Sequence, residues 1–367
     1  MFSVNQHWDP LRVCIVGRAH DPDHFSSLTD PTTRSALERV AIESEEDYAK
    51  LSRLLESLGV EVLRPNAVSN DRKPPVAPRD YTAMIGDRFF IDLEGRQEEF
   101  KDICARVAAE GNEIILDTGT NTASICRLGK DLIFGEVDWE QAADADLRSR
   151  MDVTALDQDQ RFKMIDMIRD RKKHRMVSEH RQSIETLFPD HRKMVLPDLS
   201  GHIDGCFCPI RPGLVIAVDY LRDRVAELFP GWEVIPIPKR DLSDDRDYEK
   251  LRRVNLGSWW IPGMEASDDF TDYVMEYLSH WTGYVDETYF DVNTLIVDQQ
   301  NVICVNFPDH LLKVYDSLGI TAHAVDFRHR FFWDGGIHCV TSDLHRIGDQ
   351  VDLGLINPSK ANLLLGQ

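Results

Sequence analysis

The chain is short of positive charge. Its 42 lysines and arginines face 63 aspartates and glutamates, for a net charge of −21. A surface of that sign repels a phosphate backbone or an anionic headgroup layer, so nucleic acid and membrane partners are excluded. Long apolar runs are missing too; none approaches the roughly 18–20 residues of a spanning helix. Met1 to Asp9 has no basic stretch leading into an apolar one, so no secretory leader is expected. Cysteine is sparse: there are seven, an odd number, scattered through 367 residues. That usage fits reduced thiols and a cytoplasmic location rather than a disulfide framework. Cys206 and Cys208 lack the further ligands of a zinc site and read as alternate positions of one strand. Neither a metal nor an organic cofactor is expected.

What is present is repetition. An apolar helix end, a turn and an apolar strand recur in LLESLGVEVLRP (54–65), ARVAAEGNEIILD (105–117), IETLFPDHRKMVLPD (184–198), VAELFPGWEVIPIP (225–238) and VYDSLGITAHAVDF (314–327). Each helix stops at Gly or at a turn containing Pro, as helix C-termini require. Between these lie pairs of apolar strands around a polar turn: TAMIGDRFFIDL (82–93), SICRLGKDLIFGEV (124–137), CFCPIRPGLVIAVD (206–219) and NTLIVDQQNVICVN (293–306). Their centres have hairpin-turn chemistry. The fifth pair is split between the two ends of the chain, LRVCIVGRA (11–19) and GGIHCVTSDLHRIG (335–348). In the first unit Asp30 can cap a helix that Pro31 begins, and Leu37, Val40, Ala41, Tyr48, Leu51, Leu55 and Leu58 give it one apolar face. Five such ββαβ units predict an α/β fold, a closed five-bladed propeller forming a single domain over 1–367. Two insertions interrupt the rhythm, at about 138–182 and 239–283. The free outer faces of a propeller allow a homodimer.

Equivalent positions of repeated units lie at one end of the axis, so the residues leading into each hairpin should meet. They are Arg79 and Asp80; Asn121, with Asp117 and Ser124 nearby; His202 and Asp204; Asp286 and Glu287, with Asp291 before Asn293; and His338 and Cys339. A thiol, an imidazole, carboxylates and an amide would then face one pocket. That set suits a guanidinium substrate. Asp80 and Asp204 can accept paired hydrogen bonds from the planar cation. Cys339 can attack its central carbon as the thiolate. His202 can protonate the leaving amine and then deprotonate the incoming one, provided a carboxylate or amide orients its ring.

These residues resemble those of a known family. WDPLRVCIVGRA (8–19), PRDYTAMIGD (78–87), GHIDGCFCPIRPGLV (201–215), VNTLIVDQQNVICV (292–305), SLGITAHAVDFR (317–328) and DGGIHCVTSDLHRIG (334–348) are similar, in order, to stretches of the glycine and inosamine-phosphate amidinotransferases. The wider superfamily, the penteins, includes arginine deiminase, agmatine deiminase and dimethylargininase. The resemblance implies a ping-pong reaction in which arginine gives its amidino group to Cys339, ornithine leaves, and an acceptor amine takes the group. It implies His202 as acid and base, Asp80 and Asp204 as guanidinium ligands, His338 as part of the substrate site, and Arg222 near the donor carboxylate, one position from the family's arginine. It places Asn121 where the family has an aspartate that orients the histidine; Asp117 is the alternative. The glycine-type members have small hydroxyl residues where this chain has Asp286 and Glu287, and an acidic pair there disfavours a carboxylate acceptor such as glycine. The partners expected are therefore small molecules, arginine and an amine. A hydrolase using the same cysteine, and a non-catalytic guanidine binder, are the competing expectations.

Overall fold

The first helix follows directly from its sequence. In the computed structural model α1 spans Pro31–Ser57, and Asp30 caps it by accepting from the Thr33 N–H at 2.6 Å. Its buried face repeats every three or four residues through Ala36, Leu37, Val40, Ala41, Ser44, Tyr48, Leu51 and Leu55. That spacing puts one stripe of a 3.6-residue helix against the core. The structure describes residues 1–67, 74–91, 97–116, 122–135, 186–196, 202–237, 291–305, 310–333 and 335–356, together with Ile261, Met264, Ser267 and Phe270. Both insertions expected from the sequence lie almost wholly outside the described residues. No described helix is long and apolar enough to cross a membrane.

The chain is α/β, with five sheets of three strands each. Strands β3 (Thr82–Ile85), β4 (Arg88–Ile91) and β5 (Glu113–Leu116) form one; β6 (Ile125–Leu128), β7 (Asp131–Gly135) and β8 (Arg192–Leu196) the next. β9 (Phe207–Arg211), β10 (Leu214–Val218) and β11 (Glu233–Ile237) form a third, and β12 (Leu295–Asp298), β13 (Asn301–Val305) and β14 (Thr321–Val325) a fourth. In each the middle strand is antiparallel to the one before it and parallel to the one after. A parallel neighbour needs a crossover. Helices α2 (Gln97–Ala109), α3 (Arg222–Leu228) and α4 (His310–Ser317) supply it in three of these four sheets. The fifth sheet joins the chain ends. β1 (Leu11–Val16) pairs antiparallel with β15 (Thr341–Arg346), from Leu11 opposite Arg346 to Val16 opposite Thr341, and parallel with β2 (Glu61–Leu63) beyond α1. The split hairpin expected from the sequence is thus present. Cys206, however, caps the turn before β9 while Cys208 lies within that strand, so they are not two positions of one strand.

The apolar core is shared between sheets. Ile15 and Leu344 of the fifth sheet pack with Met84 and Phe89 of the first; Ile85 and Phe90 of the first pack with Leu132 and Phe134 of the second. Leu128 and Ile133 share a cluster with Ile216 and Ile296, and Leu295 and Ile303 share another with Cys14 and Val16. Among these apolar contacts lies a charged cluster that the sequence reading did not anticipate. Asp343 on β15 is fully buried, and Arg79, Arg127 and Arg346 all converge on it.

Candidate active site

Three hairpins are approached through single turns of 3₁₀ helix: Pro78–Asp80 before β3, Thr122–Ser124 before β6 and Ile203–Gly205 before β9. The approach to β15 is also a turn, in which the Thr341 N–H bonds the His338 carbonyl at 3.2 Å. These turns are stitched to one another. Thr122 Oγ1 donates to the Arg79 carbonyl at 2.6 Å, and Arg79 Nε donates to the carbonyls of His338 and Thr341 at 2.9 and 3.0 Å. Lead-in residues from separate units therefore do meet.

They meet around Cys339. Its Sγ, a ring nitrogen of His202 and a carboxylate oxygen of Asp204 all lie within 4.8 Å of one another. Cys339 Sγ stands 3.7 Å from Asp204 Oδ2. All three residues are buried, whereas Asp80 beside them is half-buried, with Oδ1 4.0 Å from His202 Nδ1. His338 is placed against Asp204, its Nδ1 2.7 Å from Oδ2. The other oxygen, Asp204 Oδ1, is buried without a hydrogen-bond partner among the described residues, as is Asp80 Oδ1. A buried carboxylate oxygen left open is costly unless something fills it, so two acceptors await a donor here. A planar cation with paired N–H groups is such a donor.

The electrostatics fix the charge states. Burial alone would raise the Asp204 carboxyl, but the His338 hydrogen bond and the charges of His338, His202 and Arg79 outweigh it and hold it below the usual range. Burial, with the Arg79 charge added, pushes the His338 imidazole down to about 4 against the pull of Asp204. At neutral pH a neutral His338 therefore donates Nδ1–H to an ionised Asp204. Burial pushes Cys14, Cys208 and Cys304 up to about 12 and Cys126 well above its ordinary value. Such thiols stay protonated and inert.

The sequence-derived residues divide as follows. Cys339, His202, Asp204, Asp80 and His338 are brought together. Arg222 is exposed at the start of α3, just past the end of β10, where the Val218 N–H bonds the Cys206 carbonyl at 2.9 Å. It is thus on the His202 side of its sheet. Asn121 and its alternative Asp117, and the pair Asp286 and Glu287, lie outside the described residues. The sequence reading named Asn293 among the lead-in residues but gave it no role, and it touches Cys339: its Nδ2 is 3.0 Å from Sγ and its Oδ1 accepts from the Cys339 N–H at 3.1 Å. The signal was its place two residues before β12, the same lead-in position as the rest.

No family model matches the chain. Over 147 residues it is 22% identical to an L-arginine:L-lysine amidinotransferase of Pseudomonas savastanoi pv. phaseolicola, covering 40% of this chain and 31% of that protein. Over 149 residues it is 26% identical to the mitochondrial glycine amidinotransferase of Danio rerio, covering 40% and 27%. The match thus spans less than a third of the length of these relatives. Among solved structures it resembles SxtG, an amidinotransferase from Microseira wollei in a saxitoxin biosynthetic pathway, with a TM-score of 0.63 at 14% identity over 96% of this chain and 99% of that one. It also resembles an inosamine-phosphate amidinotransferase from Streptomyces griseus, with a TM-score of 0.61 at 18% identity over 96% and 98%. A dimethylarginine dimethylaminohydrolase in adduct with S-methyl-L-thiocitrulline matches with a TM-score of 0.51 at 14% identity over 91% and 99%. The chain is therefore similar to amidinotransferases in sequence and shares the fold of guanidine-modifying enzymes.

Proposed function

We propose that this chain is an arginine-dependent amidinotransferase that works through an amidino-cysteine, and that its five sheets close into a five-bladed α/β propeller around the site. The propeller reading is supported by the cores shared between successive sheets and by the pairing of the chain ends in the fifth. The observation that carries the chemistry is the meeting of Cys339, His202 and Asp204 within 4.8 Å.

In this reading the donor guanidinium lies against the open oxygens of Asp204 and Asp80, and Arg222 serves its carboxylate. Cys339 attacks the central carbon as the thiolate. The bond from that carbon to the ornithine nitrogen breaks as imidazolium His202 gives that nitrogen a proton, and ornithine leaves. The acceptor amine then gives a proton to neutral His202 and attacks the same carbon, and the sulfur departs as thiolate. The protein is returned unchanged, and one amidino group has moved from one amine to another. The parts expected of Asn121 or Asp117 in orienting the His202 ring, and of Asp286 and Glu287 in disfavouring glycine as acceptor, rest on the sequence, since these four lie outside the described residues. Seven free thiols suit a reducing cytoplasm.

The test is incubation with arginine and a panel of amines, followed by mass spectrometry. Beyond one equivalent per protein, released as the amidino-cysteine forms, ornithine should appear only when an amine is supplied, together with a matching guanidino product. Continued ornithine release without added amine, or citrulline, would overturn the transferase in favour of the hydrolase. An adduct on Cys206 or Cys208 instead of Cys339 would overturn the site.

A further inference from the structure

We propose that Asn293 is a further catalytic residue of this site, its amide N–H holding the Cys339 sulfur and favouring it as thiolate. The inference rests on Cys339 being the nucleophile. Asn293 is 2% exposed and comes from the approach to β12, while Cys339 comes from the approach to β15. The Cys339 N–H donates to Asn293 Oδ1 at 3.1 Å, which identifies the oxygen of the amide and leaves Nδ2 as the group facing Sγ, 3.0 Å away. Nδ2 also reaches the Asp204 carbonyl at 3.4 Å, and the His338 N–H reaches the Asn293 carbonyl at 3.4 Å. One side chain therefore grips the backbone and the sulfur of Cys339 together.

The local sequence is shaped to admit it. A Cβ on Gly336 would stand 2.6 Å from Asn293 Oδ1 and 2.8 Å from its Cβ, so any side chain at 336 would push Asn293 off the cysteine. The second glycine before His338 and Cys339 is explained by this clearance. The electrostatic need is equally specific. Asp204 Oδ2 lies 3.7 Å from Sγ, and a carboxylate so near opposes a second negative charge. Nδ2–H is a donor aimed at the same sulfur, and a hydrogen bond to an ionised acceptor is stronger than one to the neutral thiol. It favours thiolate before attack on the guanidinium carbon and again when the acceptor amine expels the sulfur.

The experiment follows alkylation of Cys339 by iodoacetamide from acid to alkaline pH, read by peptide mass spectrometry in wild type, Asn293→Ala and Asn293→Asp. Half-buried Cys104 serves as internal reference, thermal unfolding tracks folding, and arginine protection is measured in parallel. In Asn293→Ala the Cys339 midpoint should rise by about one pH unit and its rate at pH 7 fall about tenfold, the size of a lost hydrogen bond to the charged form. Asn293→Asp keeps the shape and the acceptor but sets an anion against the sulfur, so its shift should be larger. Coincident midpoints in all three proteins would overturn the proposal. So would unfolding of both variants, which would make Asn293 a structural tie. A shifted midpoint without arginine protection of wild-type Cys339 would leave this inference standing and overturn the arginine donor instead.

Discussion

Two buried aspartates, Asp343 and Asp204, lie on either side of Arg79 and differ in how completely they are satisfied. Asp343 Oδ1 accepts from Arg79 at 2.8 Å and Arg127 at 2.7 Å, while Oδ2 accepts from Arg127 at 2.9 Å and Arg346 at 2.6 Å. Burial would raise this carboxyl, but Arg127, Arg346 and Arg79 together hold it well below the carboxylate range. Asp204 has one oxygen on His338 and the other open. A carboxylate whose lone pairs are all used by its own chain is structure. One held ionised with an acceptor left over can take a further donor. Arg79 joins the two: Nη2 reaches Asp343 while Nε holds the carbonyls of His338 and Thr341, so the saturated cluster braces the turn that carries Cys339.

The largest expected effect lies on the saturated side. Asp343→Ala leaves three buried arginines without their counter-ion, and removing one partner of a buried network costs about 3–5 kcal/mol. Urea denaturation should show that loss, and arginine binding should fall only as the folded fraction does. A variant with wild-type stability would break the distinction between the two aspartates.

Asp204→Asn should behave oppositely. It keeps shape and an acceptor for His338, so its stability should stay within about 1 kcal/mol of wild type. Arginine affinity should fall at least about tenfold, because a charge-assisted contact to the guanidinium is lost. Alkylation of Cys339 at neutral pH should become faster, since the carboxylate 3.7 Å from the sulfur has gone. Loss of turnover with a more reactive nucleophile is the signature of a ligand-binding carboxylate. A slower Cys339 would contradict that role.

The contrast also separates what the sequence discloses from what it hides. The five units, the split hairpin and Cys339, His202, Asp204 and Asp80 were readable because repetition fixes equivalent positions and the chemistry sits at those positions. Asn293 was within the same pattern, yet an amide before an apolar strand reads as turn chemistry until a sulfur is seen 3.0 Å away. Asp343 was harder. Arg127 interrupts an otherwise apolar strand, which signals buried charge, but Asp343 and Arg346 stand in β15 among Thr341, Ser342 and His345, where a charge gives no such signal. Their partnership spans 216 residues between Arg127 and Asp343, and no local spacing encodes it. His338 next to Cys339 was expected at the substrate; its ring Nδ1 also lies 2.7 Å from Asp204 Oδ2, a contact across 134 residues that no local spacing encodes.

The smallest effect sharpens the comparison through pH, because His338 and Asp9 carry displaced titrations of opposite sign. His338, on the Asp204 side, is pushed from 6.5 to about 4, mainly by burial. Between those values the unfolded chain binds the proton and the folded one does not, so stability rises with pH across that window and is lost as pH falls through it. Asp9 belongs to the other side: its carbonyl accepts from Arg346 at 2.6 Å, and Gly348 leaves it room, since a Cβ there would stand 2.2 Å from Oδ2. Burial, only partly offset by Arg346 and the Gln6 hydrogen bond, raises its carboxyl from 3.8 to about 6. Here the folded chain holds the proton and the unfolded one releases it, so stability falls as pH rises from 3.8 to about 6. Each slope is at most about 1.4 kcal/mol per pH unit, and these two oppose each other between pH 4 and 6, while burial lowers His7 as well and adds a further rising slope. Asn at position 9 should expose the rising slope, so Asp9→Asn becomes steeply less stable toward pH 4. His338→Asn removes one rising slope, so its stability should fall relative to wild type from pH 4 to 6. Urea midpoints at intervals across that range measure both. If the two variants tilt the profile in the same direction, the two carboxylate neighbourhoods do not hold their protons as their burial and partners require.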